Sequence, residues 1–326
     1  MSKLSSGDAP CFVITVSARA LFSAEESHQI FEKEGLDAFI NHEIAHENEP
    51  LEPGPAFPLV KKLLELNERL PEGVPMIDVV LLSRNSAESA GRIFNSLEHH
   101  NLGITRAVFT NGAPSSTYIE ALETRLFLSS NPEQVKKVLE LGIGAAVIQP
   151  SSKSESAITQ SQIRVAFDGD AVIFSDEAEK VHGELSLEGF HDHERRYANV
   201  PMSAGPLRPF LEVLHTIQQA FPAEDCPIRT ALVTARGLQA HRRAINTLHS
   251  WNIRLDEMMF LGGRNKGPFL KSFKADLFFD DSKRNIDAAV EHSVPSGHVA
   301  SGVRNMEGAQ ESSFSGGQVA KPKAKM

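Results

Sequence analysis

A chain of 326 residues is long enough for two domains, at roughly 150 residues each. Lys and Arg number 33 against 42 Asp and Glu, and the net charge of −9 argues against a nucleic-acid-binding surface as the main function. Hydrophobic residues make up 41% and charged residues 23%, which suits a globular protein with a real core; the longest weakly polar run, residues 139–150, carries Glu140 and is too short to span a bilayer.

Residues 1–10 read as a disordered tail, with no secretory leader ahead of the brief apolar stretch at 12–16. Two cysteines, Cys11 and Cys226, make neither a disulfide framework nor a metal cluster. A cytoplasmic location is expected, with neither membrane nor nucleic acid as a partner.

The next segment, residues 11–150, repeats as residues 163–302 when the sequence is slid by the distance from His42 to His193. His42-Glu43, Asn48, Pro50 and Gly54-Pro55 then fall on His193-Glu194, Asn199, Pro201 and Gly205-Pro206. Further along, Arg92, Asn95, Asn101 and Leu126-Phe127 fall on Arg243, Asn246, Asn252 and Leu277-Phe278. The chain reads as a tandem duplication. A serine-rich linker at 151–162 separates the copies, and residues 303–326 form a second disordered tail.

In the second copy, β-rich runs are predicted at 163–168, 228–234, 257–261, 275–280 and 298–300. Helical spacing of apolar residues covers 207–220, 239–251 and 268–273. Strands alternating with helices predict an α/β fold: two tandem Rossmann-like domains, each a parallel sheet with helices on both faces. Such sheets bind ligands beyond the carboxyl ends of their strands.

Chemistry gathers at those ends. The first run ends in Asp168-Gly169-Asp170, the second in Thr234-Ala235-Arg236 and the fourth in Asp280-Asp281, while Lys266 follows the third in a glycine-bearing loop. Carboxylates without His or Cys partners make a hard oxygen site suited to Mg²⁺. A metal and a lysine together neutralise a phosphoryl group in transfer, with one acid free to attack phosphorus and another to donate a proton. Asp281 has a second reading as the cap of the following helix, and Arg236 is read either as a substrate contact or as a solvated helix start.

The order Asp-x-Asp, Thr, Lys, Asp-Asp resembles the haloacid dehalogenase-like superfamily of phosphohydrolases. More closely, Ala166-Phe167-Asp168-Gly169-Asp170-Ala171-Val172-Ile173-Phe174-Ser175-Asp176-Glu177 is similar to the cytosolic 5′-nucleotidase type I family. Leu232-Val233-Thr234-Ala235-Arg236, Lys266-Gly267-Pro268 and Phe278-Phe279-Asp280-Asp281 match it too, as do Val16-Ser17-Ala18-Arg19-Ala20-Leu21-Phe22 and His46-Glu47-Asn48-Glu49-Pro50 in the first half. The resemblance implies that Asp168 is the nucleophile and Asp170 the general acid and base. It implies that Thr234, Ala235, Arg236 and Lys266 contact the substrate, and that Asp168, Asp170, Asp280 and Asp281 hold Mg²⁺. A nucleoside 5′-monophosphate such as AMP would be the substrate, and a small cap insertion would cover the site. The family's His-Glu-x-x-His-Glu-Asn-x-Pro pattern is altered in the second half to His193-Glu194-Arg195-Arg196-Tyr197-Ala198-Asn199-Val200-Pro201.

The first copy lacks the acids. Ser17, Arg19, Ser83, Ser115 and Ser129-Ser130 stand where the second has Asp168, Asp170, Thr234, Lys266 and Asp280-Asp281. It is read as a degenerate pseudo-domain that packs on the second copy or on another subunit, which leaves a homo-oligomer open. Competing functions are a phosphatase or phosphotransferase for another small phosphomonoester, and a non-enzymatic nucleotide-sensing scaffold. His191-Asp192-His193-Glu194 lacks further ligands for zinc and is read as a polar loop, Gly142-Ile143-Gly144 precedes a strand rather than following one, and Trp251 is read as core.

Overall fold

The computed structural model describes residues 11–149, 162–184 and 187–305. The linker, and the two tails read as disordered, lie outside the described residues except at Gln162 and Val303–Asn305. There the structure differs from the expectation: Val303–Asn305 form a 3₁₀ turn, and the Asn305 amide donates to the carbonyls of Asp281 and Ser301. Gln162 likewise donates its side-chain amide to the Cys226 carbonyl.

Twelve strands are formed by the described residues: β1 Cys11–Val16, β2 Phe22–Ser23, β3 Glu52–Pro53, β4 Met76–Ser83, β5 Arg106–Phe109, β6 Thr124–Ser129, β7 Gly144–Gln149, β8 Ile163–Phe167, β9 Ile228–Thr234, β10 Glu257–Phe260, β11 Leu277–Asp280 and β12 Ser296–His298. Their central members are near-continuous apolar runs, such as Ile77 to Leu82 broken only by Asp78, because both faces of a mostly parallel sheet are covered by helices. β2 and β3 pair with each other. The other ten make one sheet in the order β10-β9-β8-β11-β12-β7-β6-β1-β4-β5.

This is an α/β fold with a large, mostly parallel, Rossmann-like sheet. One continuous sheet takes the place of the two predicted, since β12 pairs antiparallel with β7 through Ser296–Gln149, Gly297–Ile148 and His298–Val147. The strand predicted at 298–300 is therefore displaced to Ser296–His298. The seam is tight: a Cβ on Gly297 would lie 2.8 Å from the Phe279 ring and 3.1 Å from Ala146 Cβ.

Helices lock the two halves together. The helix Arg208–Gln219 carries Phe210, whose ring lies 5.8 Å from Phe12 in β1 and 6.1 Å from both Phe167 and Phe279. In the other direction, the helix Phe57–Leu66 sends Lys62 to Asp276, with Nζ 2.6 Å from Oδ1 and both side chains buried. The second Asp276 oxygen accepts the Arg164 N–H at 2.8 Å. Burial pushes the Asp276 carboxyl up, and Lys62 and Arg164 oppose that push.

The polar identities between the halves have a structural cause. Glu43 pairs with Arg92, and Glu194 with Arg243, at 3.1 and 3.2 Å. Each arginine donates Nε to a main-chain carbonyl, Glu49 or Val200, and Asn95 and Asn246 bind the carbonyls of Glu47 and Ala198. Asn101 and Asn252, just past their helices, both take left-handed backbone, with φ of 52° and 54°. Gly54 and Gly205 have no room for a side chain: a Cβ would lie 2.8 Å from Ala20 O in one half and 2.4 Å from Val172 O in the other.

One sequence reading needs correction. The segment read as a polar loop is helical, since Leu187–Arg196 carries His191, His193 and a buried Glu194; two histidines and paired charges hid its one apolar stripe. Trp251, read as core, packs half-buried against the core after the helix His241–Ser250, with its ring 5.6 Å from that of Phe174 and the Arg208 guanidinium over it at 4.3 Å. Among the described residues no helix is long and apolar enough to cross a membrane.

The Lys62–Asp276 pair generates a stability prediction. Removing one partner of a buried ion pair leaves the other charge uncompensated. Lys62→Met is expected to lower the unfolding free energy by about 3 kcal/mol in urea titrations at neutral pH. A change under about 0.5 kcal/mol would show that the pair does not hold the halves together.

Candidate active site

Asp168 follows β8 directly, and its N–H donates to the Phe279 carbonyl of β11 at 2.8 Å, so the ends of the two strands are tied. Asp280 closes β11, and Lys266 stands at the start of the helix Gly267–Phe273. The Lys266 Nζ lies 2.8 Å from Asp168 Oδ1 and 2.6 Å from Asp280 Oδ2. All three side chains are buried. Asp281 is buried beside them, and carboxylate oxygens of Asp168, Asp280 and Asp281 lie within 4.8 Å of one another.

Burial pushes the Asp168 carboxyl up, against the pull of Lys266, and the neighbouring charges of Asp280 and Asp170 add to the rise, to about 6. Burial alone would lower the Lys266 ammonium, but Asp168 and Asp280 outweigh it and hold it above the ordinary lysine value. Three acids with one lysine leave a surplus of negative charge where little water reaches. Such a hard, oxygen-only donor set fits a small divalent cation such as Mg²⁺, and among the described residues it is the one group of this kind.

The acids are themselves held. Asn285 donates to both Asp280 oxygens at 3.0 Å, and the Ser282 N–H donates to one of them. The Asp281 carbonyl accepts from His298 Nε2 and Asn305 Nδ2, each at 2.9 Å. Ser282, not Asp281, occupies the cap position of the helix Lys283–Glu291. Asn285, His298 and Asn305 were missed in the sequence, because a lone polar residue beyond an acid pair carries no pattern.

Thr234 ends β9, buried, with Oγ1 accepting the Arg236 N–H at 3.2 Å. Ala235 is exposed beside it, and Gly262 and Gly263 donate to the carbonyls of Arg236 and Ala235, which draws the glycine loop over the strand end. Asp170 is not among the three clustered acids. Its carboxylate takes Arg236 Nε and Nη2 at 2.9 and 2.7 Å, while Arg236 Nη1 reaches Glu194. Burial works against the Arg236 charge, but Asp170 and Glu194 outweigh it and raise its proton affinity. The turn after Asp170 is sharp: Ala171 takes φ 58°, with the Ser301 hydroxyl donating to its carbonyl.

The first half has hydroxyls at all but one of the same positions, with Arg19 in place of Asp170. Ser17 Oγ accepts from the Ala20 and Ser130 N–H groups, Ser129 from Asn131, and Ser115 donates to Gln134. Ser83 accepts the Asn85 N–H just as Thr234 accepts that of Arg236. Arg19 is exposed, and Arg84 donates to the Gly112 carbonyl.

The raised Asp168 pKa has a measurable sign. A carboxyl whose folded-state pKa lies above its unfolded value stabilises the fold at low pH and loses that contribution as pH rises through 6. In metal-free buffer, the wild type relative to Asp168→Asn is expected to gain about 1 kcal/mol between pH 7 and pH 5. The opposite slope in paired denaturation curves would place Asp168 in a solvated or over-compensated site.

The family model described as 5′-nucleotidase matches residues 5–306. Human cytosolic 5′-nucleotidase 1B is 38% identical over 285 residues, covering 85% of this chain and 47% of the human protein. The chain thus spans about half the length of that curated relative. Among solved structures, a chain from the Pnkp1/Rnl/Hen1 complex aligns with 91% of this chain and 98% of its own, at 13% identity and a TM-score of 0.32, too low to bear on fold or function.

Proposed function

The chain belongs to the 5′-nucleotidase family, and from that premise we propose that it is a Mg²⁺-dependent phosphohydrolase of nucleoside 5′-monophosphates, AMP among them, acting through an aspartyl-phosphate. The observation that carries this reading is the contact of Asp168 with Lys266 inside a cluster completed by Asp280 and Asp281.

Asp168 attacks phosphorus as a carboxylate; the Asp168 oxygen–phosphorus bond forms as the bond to the nucleoside 5′-oxygen breaks. Asp170 gives its proton to that departing oxygen, and the nucleoside leaves as an alcohol. Asp170, now anionic, takes a proton from the water that releases phosphate and regenerates Asp168. Lys266 fixes Asp168 and offsets charge on the phosphoryl oxygens, with Thr234 and the Ala235 main chain as further contacts. Asp168, the Asp170 carbonyl, Asp280 and Asp281 would hold Mg²⁺, which when bound supplies Lewis-acid stabilisation of the phosphoryl charge.

The same reading makes the chain two copies of a haloacid dehalogenase-like fold, with residues 163–302 catalytic and residues 11–150 a degenerate copy. Matching strand order and matching polar networks in the two halves support it. The helices Glu177–Glu184 and Leu187–Arg196 would be the cap. A cytoplasmic setting and assembly with further copies of the chain belong to the proposal as well.

Phosphate release measured across nucleoside monophosphates and sugar phosphates tests the substrate class, with preference for nucleotides expected. Asp168→Asn is expected to lower turnover by at least about 1,000-fold while the fold is kept, since it deletes the nucleophile. Chelation should abolish activity, and millimolar Mg²⁺ should restore it. Near-normal turnover in Asp168→Asn, or indifference to chelator, sinks the mechanism.

A further inference from the structure

Arg236 was read from the sequence as a substrate contact or a solvated helix start, yet its guanidinium is almost fully enclosed, and all three of its nitrogens are engaged within the protein. Two of them form a fork on Asp170, and the third reaches Glu194 and the Ala240 carbonyl. Glu194 lies on the helix Leu187–Arg196 and is shared with Arg243, which also binds Glu177. An alternating chain of charges therefore runs from Asp170 to the helices Glu177–Glu184 and Leu187–Arg196.

The first half is an internal control. It keeps the Glu43–Arg92 pair that matches Glu194–Arg243, with the same arginine-to-carbonyl bond, so that link serves packing in both halves. Where Asp170 is replaced by Arg19, Arg236 is replaced by Asn85, and the Ser27 hydroxyl donates at 2.6 Å to Glu43 Oε1, the oxygen that also accepts from Arg92. The guanidinium arm is present where the acid is present and absent where it is absent, although the glutamate–arginine pair and its arginine-to-carbonyl bond are kept in both halves.

We propose that Arg236 is a positioning residue: it fixes the orientation in which Asp170 meets the leaving oxygen, and Glu194 fixes Arg236 in turn. This rests on the nucleotidase reading and assigns Arg236 away from the phosphoryl group. A planar two-pronged contact holds a carboxylate in one plane, which a single point charge does not.

The leaving group separates this role from a packing role. Nucleoside 5′-oxygen needs a proton as it departs, whereas p-nitrophenolate leaves without one, so misplacing the acid harms only the first. The value of kcat/KM covers steps through leaving-group departure and is the quantity to compare for AMP and p-nitrophenyl phosphate. Arg236→Met is expected to lose about 100-fold with AMP and less than about threefold with p-nitrophenyl phosphate. Arg236→Lys, which keeps charge without the fork, should recover only part of the AMP activity, and Glu43→Gln in the first half should leave the ratio of substrates unchanged. Should Arg236→Met fail to fold, Glu194→Gln is expected to lose about tenfold with AMP alone. Equal losses on both substrates, in either variant, overturn the assignment while wild-type AMP turnover still upholds the nucleotidase reading. Absence of wild-type AMP turnover overturns both.

Discussion

One buried cation holds the centre of this molecule together. Lys266 stands between Asp168 and Asp280, and without it three carboxylates would share a nearly dry space at the ends of two parallel strands. Burial of that kind is costly unless each charge is paired and bonded. The rest of the local structure reads as the means of meeting this condition: Asn285 on both oxygens of Asp280, the Asp168 N–H on the Phe279 carbonyl, and the strand ends aligned by the apolar cores of β8 and β11. The residual negative charge suits a hard cation.

The two halves separate what the fold needs from what the chemistry needs. Both keep the glutamate–arginine pair, the asparagine on a main-chain carbonyl, the left-handed asparagine after the helix, and a glycine against backbone. These are geometric requirements of the architecture. The first half replaces Asp168, Lys266, Asp280 and Asp281 by serines, and the hydroxyls of Ser17, Ser115 and Ser129 find partners within their own half. A buried serine satisfied locally places no demand on a ligand, so that half is stable without one.

Much of this was legible in the sequence, for identifiable reasons. β9 and the helix Arg208–Gln219 declare themselves by a β-rich run and a 3.6-residue apolar pattern, and the acids are found because strand ends are where such sheets carry chemistry. The helix Leu187–Arg196 was not found, since His191, His193 and the surrounding charges make it look like a loop, while Glu194 is buried only because Arg236 and Arg243 come to it from distant segments. Arg236 was read only by its neighbours in sequence; its partners, Asp170 and Glu194, come from far along the chain. Fusion of the halves into one sheet also escaped, because antiparallel pairing of β12 with β7 depends on edges that no local pattern records.

That seam gives the acid-free half a part in the site despite its lack of ionisable groups there. β12 is three residues long, too short to hold its place on the pairing with β11 alone, and its outer edge is occupied by β7 of the first half. His298 sits in this strand, paired with Asp280 on one side and Val147 on the other, and its ring bonds the Asp281 carbonyl. Position is thus transmitted from β7 to His298 and from His298 to the backbone of an acid in the cluster. The Phe279 ring, pressed against Gly297 on the same strand, carries the constraint to the backbone that receives the Asp168 N–H. A half without such acids is the wall against which the other half's acids are set.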